Sequence, residues 1–291
     1  MEPALTKYVI VSPVRDEEEF IEGTIQSVLR QTCRPAEWII VDDGSTDQTA
    51  SIIERYAKAH SWIRIVRRSN RGHRKSGGGV VEAFNDGYKS IECQNWQFLV
   101  KLDGDLVFDE LYFQRCFEHF QREERLGIGG GTIYHVLDGR DVVEENPRFH
   151  VRGATKVYRR KCWDEIGGLW QAPGWDTIDE LRAQMLGWKT ETFEEIRLLH
   201  QRLTGTAESR WSGLVKNGVA RYVAGYHPLF LLASCIRRLT YKPYLVHSAG
   251  LLWGYAQGYI RHVPQVNDPA LIRFVRREQL KRLMGRQTIW S

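Results

Sequence analysis

Three apolar runs in the N-terminal part of the chain each end in a carboxylate-rich turn. YVIVSPV at 8–14 precedes Arg15, Asp16 and Glu17, WIIV at 38–41 precedes DDGSTD, and WQFLVKL at 96–102 precedes DGD. Short runs rich in β-branched and aromatic residues favour pleated, packed strands. After each turn the apolar spacing becomes helical, as in Phe20, Ile21, Ile25, Val28 and Leu29 within 18–31. Further helices are expected at 48–59, 76–90 and 109–124, with another short strand at 63–66. Repetition of strand, polar turn and helix builds βαβ units, hence an α/β fold with a mostly parallel sheet flanked by helices. Open sheets of this kind bind ligands beyond the carboxyl ends of their strands, where these acids lie.

Downstream, 129–136 reads as extended, followed by a polar loop centred on DGRDVVEENP. A strand is expected at 154–160, helices near 161–166 and at 177–186, and a return to the sheet at 188–196. Beyond residue 200 the character changes. Residues 205–224 and 226–239 read as helical, with Pro228 in a first turn where its missing N–H costs nothing. The longest nearly apolar stretch, 243–260, has His247 and Gln257 within it. As a helix it would rise ~27 Å, slightly short of a hydrocarbon core. It reads as packing or an oligomer contact, an interfacial or re-entrant segment, or a membrane span. The division expected is 1–204 as one domain and 205–291 as a helical extension.

Charge divides in the same way. The net charge is +5, but residues 221–291 hold 11 Lys/Arg against Asp268 and Glu278 alone. A basic, apolar tail of this kind fits an anionic membrane surface, through 221–286, or a partner subunit such as a second copy. Its mixture of charge with long apolar runs resembles no nucleic-acid reading module, so no nucleic-acid partner is expected. The N-terminus lacks a basic region followed by an apolar core, so a cytoplasmic location is expected, with peripheral attachment to the inner face of the cell membrane through the tail. The five cysteines show neither metal-ligand nor disulfide spacing.

Asp103 and Asp105, two apart at a strand end, point to one side and suit a hard divalent cation such as Mg²⁺ or Mn²⁺, particularly with phosphate oxygens completing the shell. Asp42 and Asp43 can accept hydrogen bonds from a base or sugar, with Gly44 permitting the turn and Asp47 capping the next helix. In NRGHRKSGGGV at 70–80, Arg71, Arg74 and Lys75 can neutralise phosphate, and the glycines allow close backbone approach. This is not the phosphate loop of nucleotide hydrolases.

VSPVRDEEEFIEGTIQSVLRQT, WIIVDDGSTDQTASIIERYA and FLVKLDGDLVF, taken in succession, resemble family 2 glycosyltransferases of the GT-A fold over roughly residues 6–203. The resemblance implies transfer of a sugar, with inversion, from a nucleotide-diphosphate donor to a glycan or lipid-linked acceptor hydroxyl, with a divalent metal. It places Pro13, Val14, Arg15 and Glu17 around the base, Asp43 as its reader and Asp42 as support for the turn. Asp103, Gly104 and Asp105 then hold the metal and diphosphate, with His200 as a further ligand and Arg71, Lys75 and Arg202 balancing charge. Within GWDTIDELRAQMLGWKT at 174–190, Asp176 falls where the family's catalytic base stands, and Asp179 and Glu180 are rivals. Two departures are visible: Asp16 replaces an asparagine, and Trp175 the first of an acidic pair. A nucleotidyltransferase, or an inactive membrane-associated assembly subunit of the same fold, are the alternative readings.

Overall fold

The computed structural model describes residues 6–72, 78–202, 210–237, 239 and 245–290. Four parallel strands, β1 (Tyr8–Val14), β2 (Glu37–Asp42), β3 (Ile63–Arg67) and β4 (Phe98–Leu102), lie in the order β3-β2-β1-β4. Their side chains alternate between two apolar layers. Tyr8 and Ile10 pack with α1 (Ile21–Leu29), α2 (Thr49–Ala59) and α4 (Tyr112–Arg122). Val9 and Val11 pack with α3 (Gly78–Lys89) and α5 (Arg160–Ile166) on the opposite face. Burial on both faces explains why β1, β2 and β4 lack polar alternation.

Beyond β4 the sheet becomes mixed. β8 (Thr155–Arg159) runs antiparallel to β4, and β6 (Leu126–Leu137) antiparallel to β8. β9 (Lys189–His200) is parallel to β6, and β5 (Leu106–Phe108) pairs with its end. Two strands have no counterpart in the sequence expectation. β5 is three residues long, too short to show a period. β7 (Arg140–Val143) falls inside the expected polar loop and is wholly exposed. It pairs back on β6 because Asp138 and Gly139 both take positive φ, the two-residue turn that matches strand twist. β9 also extends past the expected 196, crossing a register shift opposite Gly131 and Thr132.

Helix α6 (Trp175–Met185) starts two residues earlier than expected, after Gly174 at φ 81°. The C-terminal part forms α7 (Arg210–Val223), α8 (Pro228–Arg237), α9 (Val246–Ile260) and α10 (Pro269–Leu283). Sequence reading missed α10, although Asp268 accepts the Leu271 N–H at 3.0 Å and Pro269 opens the helix. Close approach of α7 and α9 requires glycine: a Cβ on Gly254 would lie 1.9 Å from the Val215 carbonyl oxygen. Ile178 and Leu181 of α6 share a third apolar cluster with Tyr222, Leu231, Leu251 and Leu271. Thus α6 is a wall common to the sheet and the C-terminal helices. Among the described residues, no helix is long and apolar enough to cross a membrane.

Lys101 of β4 sits directly opposite Lys156 of β8, and both are essentially inaccessible. Their ammonium groups approach the Trp175 ring, 5.3 and 5.7 Å from its centroid. Lys156 donates to Asp179 and Glu180 at 2.9 Å each and to the Asp176 carbonyl at 2.5 Å. Removing one member of such a buried set strands the remaining charges. Lys156→Met is therefore expected to lose ~3–5 kcal/mol of stability, read as a lower urea midpoint with unchanged slope.

Candidate active site

β1, β2 and β4 end side by side, so their turns form one rim. The Val14 carbonyl accepts the Asp43 N–H at 2.9 Å, joining the first turn to the second. The third turn is equally close: a Cβ on Gly104 would lie 2.8 Å from a Val14 methyl and 3.6 Å from Glu17 Cγ. Pro13 lies opposite Val41 in the β1·β2 register.

Hydrogen bonds fix the first two turns. Asp42 accepts the Ser45 N–H at 2.9 Å, holding the turn in which Gly44 takes φ 76°. Asp47 accepts the N–H groups of Thr49 and Glu18 at 3.0 and 3.1 Å, and these bonds keep its carboxyl below the usual range against slight burial. Asp43 is 8% exposed and lies between two guanidinium groups, Arg68 at 2.5 Å and Arg71. Arg68 was missing from the sequence reading, where a strand-end arginine carries no distinguishing signal. Glu82 of α3 accepts from Arg71 at 2.6 Å. Arg15 donates to Asn70 at 3.1 Å. Lys75 and Arg74 lie outside the described residues.

In the third turn, Asp103 accepts from Lys101. The surrounding protein pushes the Asp103 carboxyl upward and Asp105 adds to this, while Lys101 opposes it. Asp105 meets His200 because Leu106 pairs with His200 across β5·β9. Its Oδ2 is 3.1 Å from His200 Nε2 and 3.8 Å from Arg202 Nε. Burial opposes charge on His200, but the Asp105 hydrogen bond and nearby carboxylates outweigh it and raise its pKa. Arg202 Nη2 donates to Glu17 at 2.5 Å and to the Asp16 carbonyl at 3.2 Å, closing the rim. Asp105 Oδ1 is buried with no hydrogen-bond partner among the described residues. An acceptor-only atom left in this way fits a divalent cation, which Asp105 and His200 can hold with Asp103 beside them.

The helical acids separate sharply. Asp179 is 1% exposed, accepts from the Tyr158 hydroxyl at 2.6 Å, and belongs to the Lys156 set. Burial pushes its carboxyl up to about 6 against the pull of Lys156. Glu180 is buried, accepting from Val151 N at 2.7 Å and His150 Nδ1 at 2.8 Å, and these bonds hold it where it meets the cavity wall. Asp176, one turn earlier, is half-buried and lines a cavity of about 910 Å³. That cavity runs between α6, the 145–152 loop and the C-terminal helices, with Trp211, Trp253 and Trp290 on its walls. The three strand-end turns do not line it.

The family description Glycosyl transferase family 2 fits residues 9–171, more than half of the chain. The chain belongs to glycosyl transferase family 2. It is 33% identical over 134 residues to a protein of Bacillus subtilis (strain 168) named uncharacterized glycosyltransferase EpsJ, covering 46% of this chain and 36% of that one. It is 31% identical over 117 residues to the poly-beta-1,6-N-acetyl-D-glucosamine synthase of Staphylococcus epidermidis, covering 40% and 26%. The matched region is thus less than half the length of these relatives. Among solved structures, S. aureus TarS 1–349 with UDP-GlcNAc superposes with TM-score 0.58 at 14% identity, covering 96% of this chain and 92% of that one. Mannosyltransferase PcManGT from Pyrobaculum calidifontis, with GDP-Man and Mn²⁺, gives 0.57 at 15%, covering 90% and 76%. The GT-A fold expected of the family 2 chain is therefore the observed one.

His150 provides a pH handle on this site. Burial lowers its pKa, yet Glu180 and, further off, Asp176 outweigh both burial and Lys156, so the folded value is raised. A raised folded pKa gives stability that is complete below about pH 6.5 and is lost as pH rises through the folded value. The melting-temperature gap between the native chain and His150→Gln should accordingly be widest below pH 6.5 and narrow above it.

Proposed function

We propose that this chain is a metal-dependent inverting glycosyltransferase that moves a sugar from a nucleotide-diphosphate donor to a hydroxyl of a glycan or lipid-linked acceptor. The observation that carries the reading is the meeting of three strand-end turns at one rim, through the Val14–Asp43 bond and the Gly104 contact. Asp42 and Asp43, with Pro13, Val14, Arg15 and Glu17, frame the nucleobase. Arg71, Lys75 and Arg202 balance the diphosphate charge. Asp103, Asp105 and His200 hold Mg²⁺ or Mn²⁺, whose chemistry when bound is to neutralise charge on the leaving diphosphate. The solved neighbours holding UDP-GlcNAc, or GDP-Man with Mn²⁺, support a donor of this class.

Inversion requires one base facing the anomeric carbon from the side opposite the leaving group. We assign this role to Asp176, which has the access to the cavity that enclosed Asp179 lacks. Asp179 anchors the helix beneath it through Lys156 and Tyr158. The acceptor then lies in the cavity, where the tryptophans offer flat faces to sugar rings. The relative that synthesises poly-beta-1,6-N-acetyl-D-glucosamine supports a role in polysaccharide assembly.

Asp176→Asn should bind the nucleotide diphosphate with unchanged affinity while transfer falls ~10²–10⁴-fold. The check is nucleoside diphosphate released across a panel of nucleotide sugars with Mg²⁺ or Mn²⁺, beside calorimetric binding. Near-native transfer would remove Asp176 as base. Pyrophosphate released from a nucleoside triphosphate would instead favour nucleotidyl transfer.

The C-terminal helices supply the location. Leu229, Leu232 and Ile236 on α8 and Leu252, Tyr259 and Ile260 on α9 are exposed, within a segment of strong positive charge. We assign this face to an anionic membrane surface on the cytoplasmic side. The full chain should float with anionic vesicles and not with neutral ones, and Leu232→Glu with Ile260→Glu should reduce flotation at least tenfold. Indifference to anionic vesicles, with a dimer that the same substitutions dissociate, would assign the face to a second copy.

A further inference from the structure

The cavity that Asp176 lines is charged unevenly. α7, α8 and α9 contain no acidic residue, since none occurs between Glu208 and Asp268. Lys216 and Arg221 of α7, Arg261 at the end of α9 and Arg282 of α10 all line the cavity. The acids next in sequence are engaged elsewhere. Glu278 is buried and paired with Lys281 at 2.7 Å and Arg277 at 3.5 Å, while Asp268 caps α10 and faces Arg182 at 3.8 Å. Arg261 and Arg282 are exposed, and neither makes an ion pair among the described residues. The remaining lining supplies Glu145, Asp176 and Glu180, the last already shared by Lys156 and His150.

Cations grouped on a concave, partly apolar wall raise the local concentration of anions. Arginine is suited to holding them, because its planar fork meets a phosphate or carboxylate through two N–H groups at once. Trp211 and Trp253, on the same wall, leave 44% and 49% of their surface open, a flat apolar area beside the cations. The ligand that fits is therefore a saccharide with negative charge on it. Four cations exceed what a single carboxylate neutralises, which favours phosphate. The helices point the same way. Phe230 lines the cavity while Leu229 and Leu232 beside it are exposed, and Gln257 and Arg261 line it while Ile260 is exposed. The cavity thus adjoins the apolar face of α8 and α9, and phosphate is a group that can join a sugar to an apolar chain.

We propose that the acceptor is a saccharide carrying phosphate beside its sugar, and that the cationic wall formed by Lys216, Arg221, Arg261 and Arg282 selects it by that phosphate. The inference rests on the reading of the cavity as the acceptor site and names the class of molecule that enters it. Phosphate of this kind has two sources, a diphosphate joining the sugar to a lipid or a phosphodiester within a glycan. Arg261 and Arg282 are specificity residues in this account, separate from the base at Asp176 and from the three strand-end turns.

The test titrates the full chain, without donor, and reads its tryptophan fluorescence. The probes are glucose joined to a decyl chain by a diphosphate and glucose joined to glycerol by a phosphodiester. Their neutral matches are decyl glucoside and glucosylglycerol, and decyl glucuronide supplies a carboxylate. At least one phosphate probe should bind roughly tenfold or more tightly than its neutral match, and more tightly than the glucuronide. Preference for the diphosphate names the lipid source, and preference for the phosphodiester the glycan source. Arg261→Gln with Arg282→Gln should remove the preference while leaving the neutral probes and the melting temperature unchanged. On the native chain, raising the ionic strength to about 0.5 M should weaken the phosphate probes alone, a check that needs no variant. No preference over the neutral matches, a glucuronide bound as tightly, or a preference that survives the double substitution overturns the inference. Turnover is not involved, so the two readings fail separately. Transfer that requires Asp176 but shows no phosphate preference sinks the inference alone, and transfer retained in Asp176→Asn sinks the base assignment alone.

Discussion

Two lysines facing one another across β4 and β8 set the geometry on which the rest depends. Like charges directly opposite in a sheet repel, and buried ammonium groups carry a large desolvation cost. Both costs are offset because Lys101 pairs with Asp103 while Lys156 pairs with Asp179 and Glu180, the Trp175 ring lying near both. Lys101 also donates to the Gly153 carbonyl at 2.5 Å. The Asp103 turn, the 147–153 loop and the start of α6 are thereby joined through one buried electrostatic unit. Asp103 and Asp176, on separate elements far apart in sequence, are held in a fixed relation by it.

The arginines act similarly at the rim. Arg68 and Arg71 clamp Asp43 against α3, and Arg202 ties Glu17 to the neighbourhood of Asp105. Charge is thus balanced within the protein, and a bound diphosphate would enter a set of cations already held in place. Such preorganisation is how a protein stabilises developing charge at little reorganisation cost. On the far side of α6 the wall turns apolar and aromatic, and the C-terminal helices complete it.

Much of this was legible in the chain itself. The parallel strands announced themselves as short apolar runs because they are buried on both faces, and the acidic turns marked their carboxyl ends. Less legible were elements set by partners distant in sequence. β5 is defined only by its pairing with β9, and β7 only by a positive-φ Asp-Gly turn in a polar segment. Lys101 did carry a signal, a lone charge within an apolar strand, but not the identity of its partners, whereas Lys156 shares its short strand with Arg159 and carried none. The difference between Asp176 and Asp179 was equally hidden. Both lie on one helix, and only the cross-strand lysine and the Tyr158 hydroxyl show that one is enclosed.

The central claim is that the three strand-end turns and the start of α6 surround a single sugar nucleotide. A crystal structure of the chain with a non-hydrolysable nucleotide sugar and Mn²⁺ tests it most directly. The account predicts the base beside Asp43, the diphosphate and ion beside Asp105 and His200, and the anomeric carbon turned toward Asp176 at the cavity mouth. A nucleotide bound away from the Asp43–Asp105 rim, or an anomeric carbon facing away from α6, would contradict it.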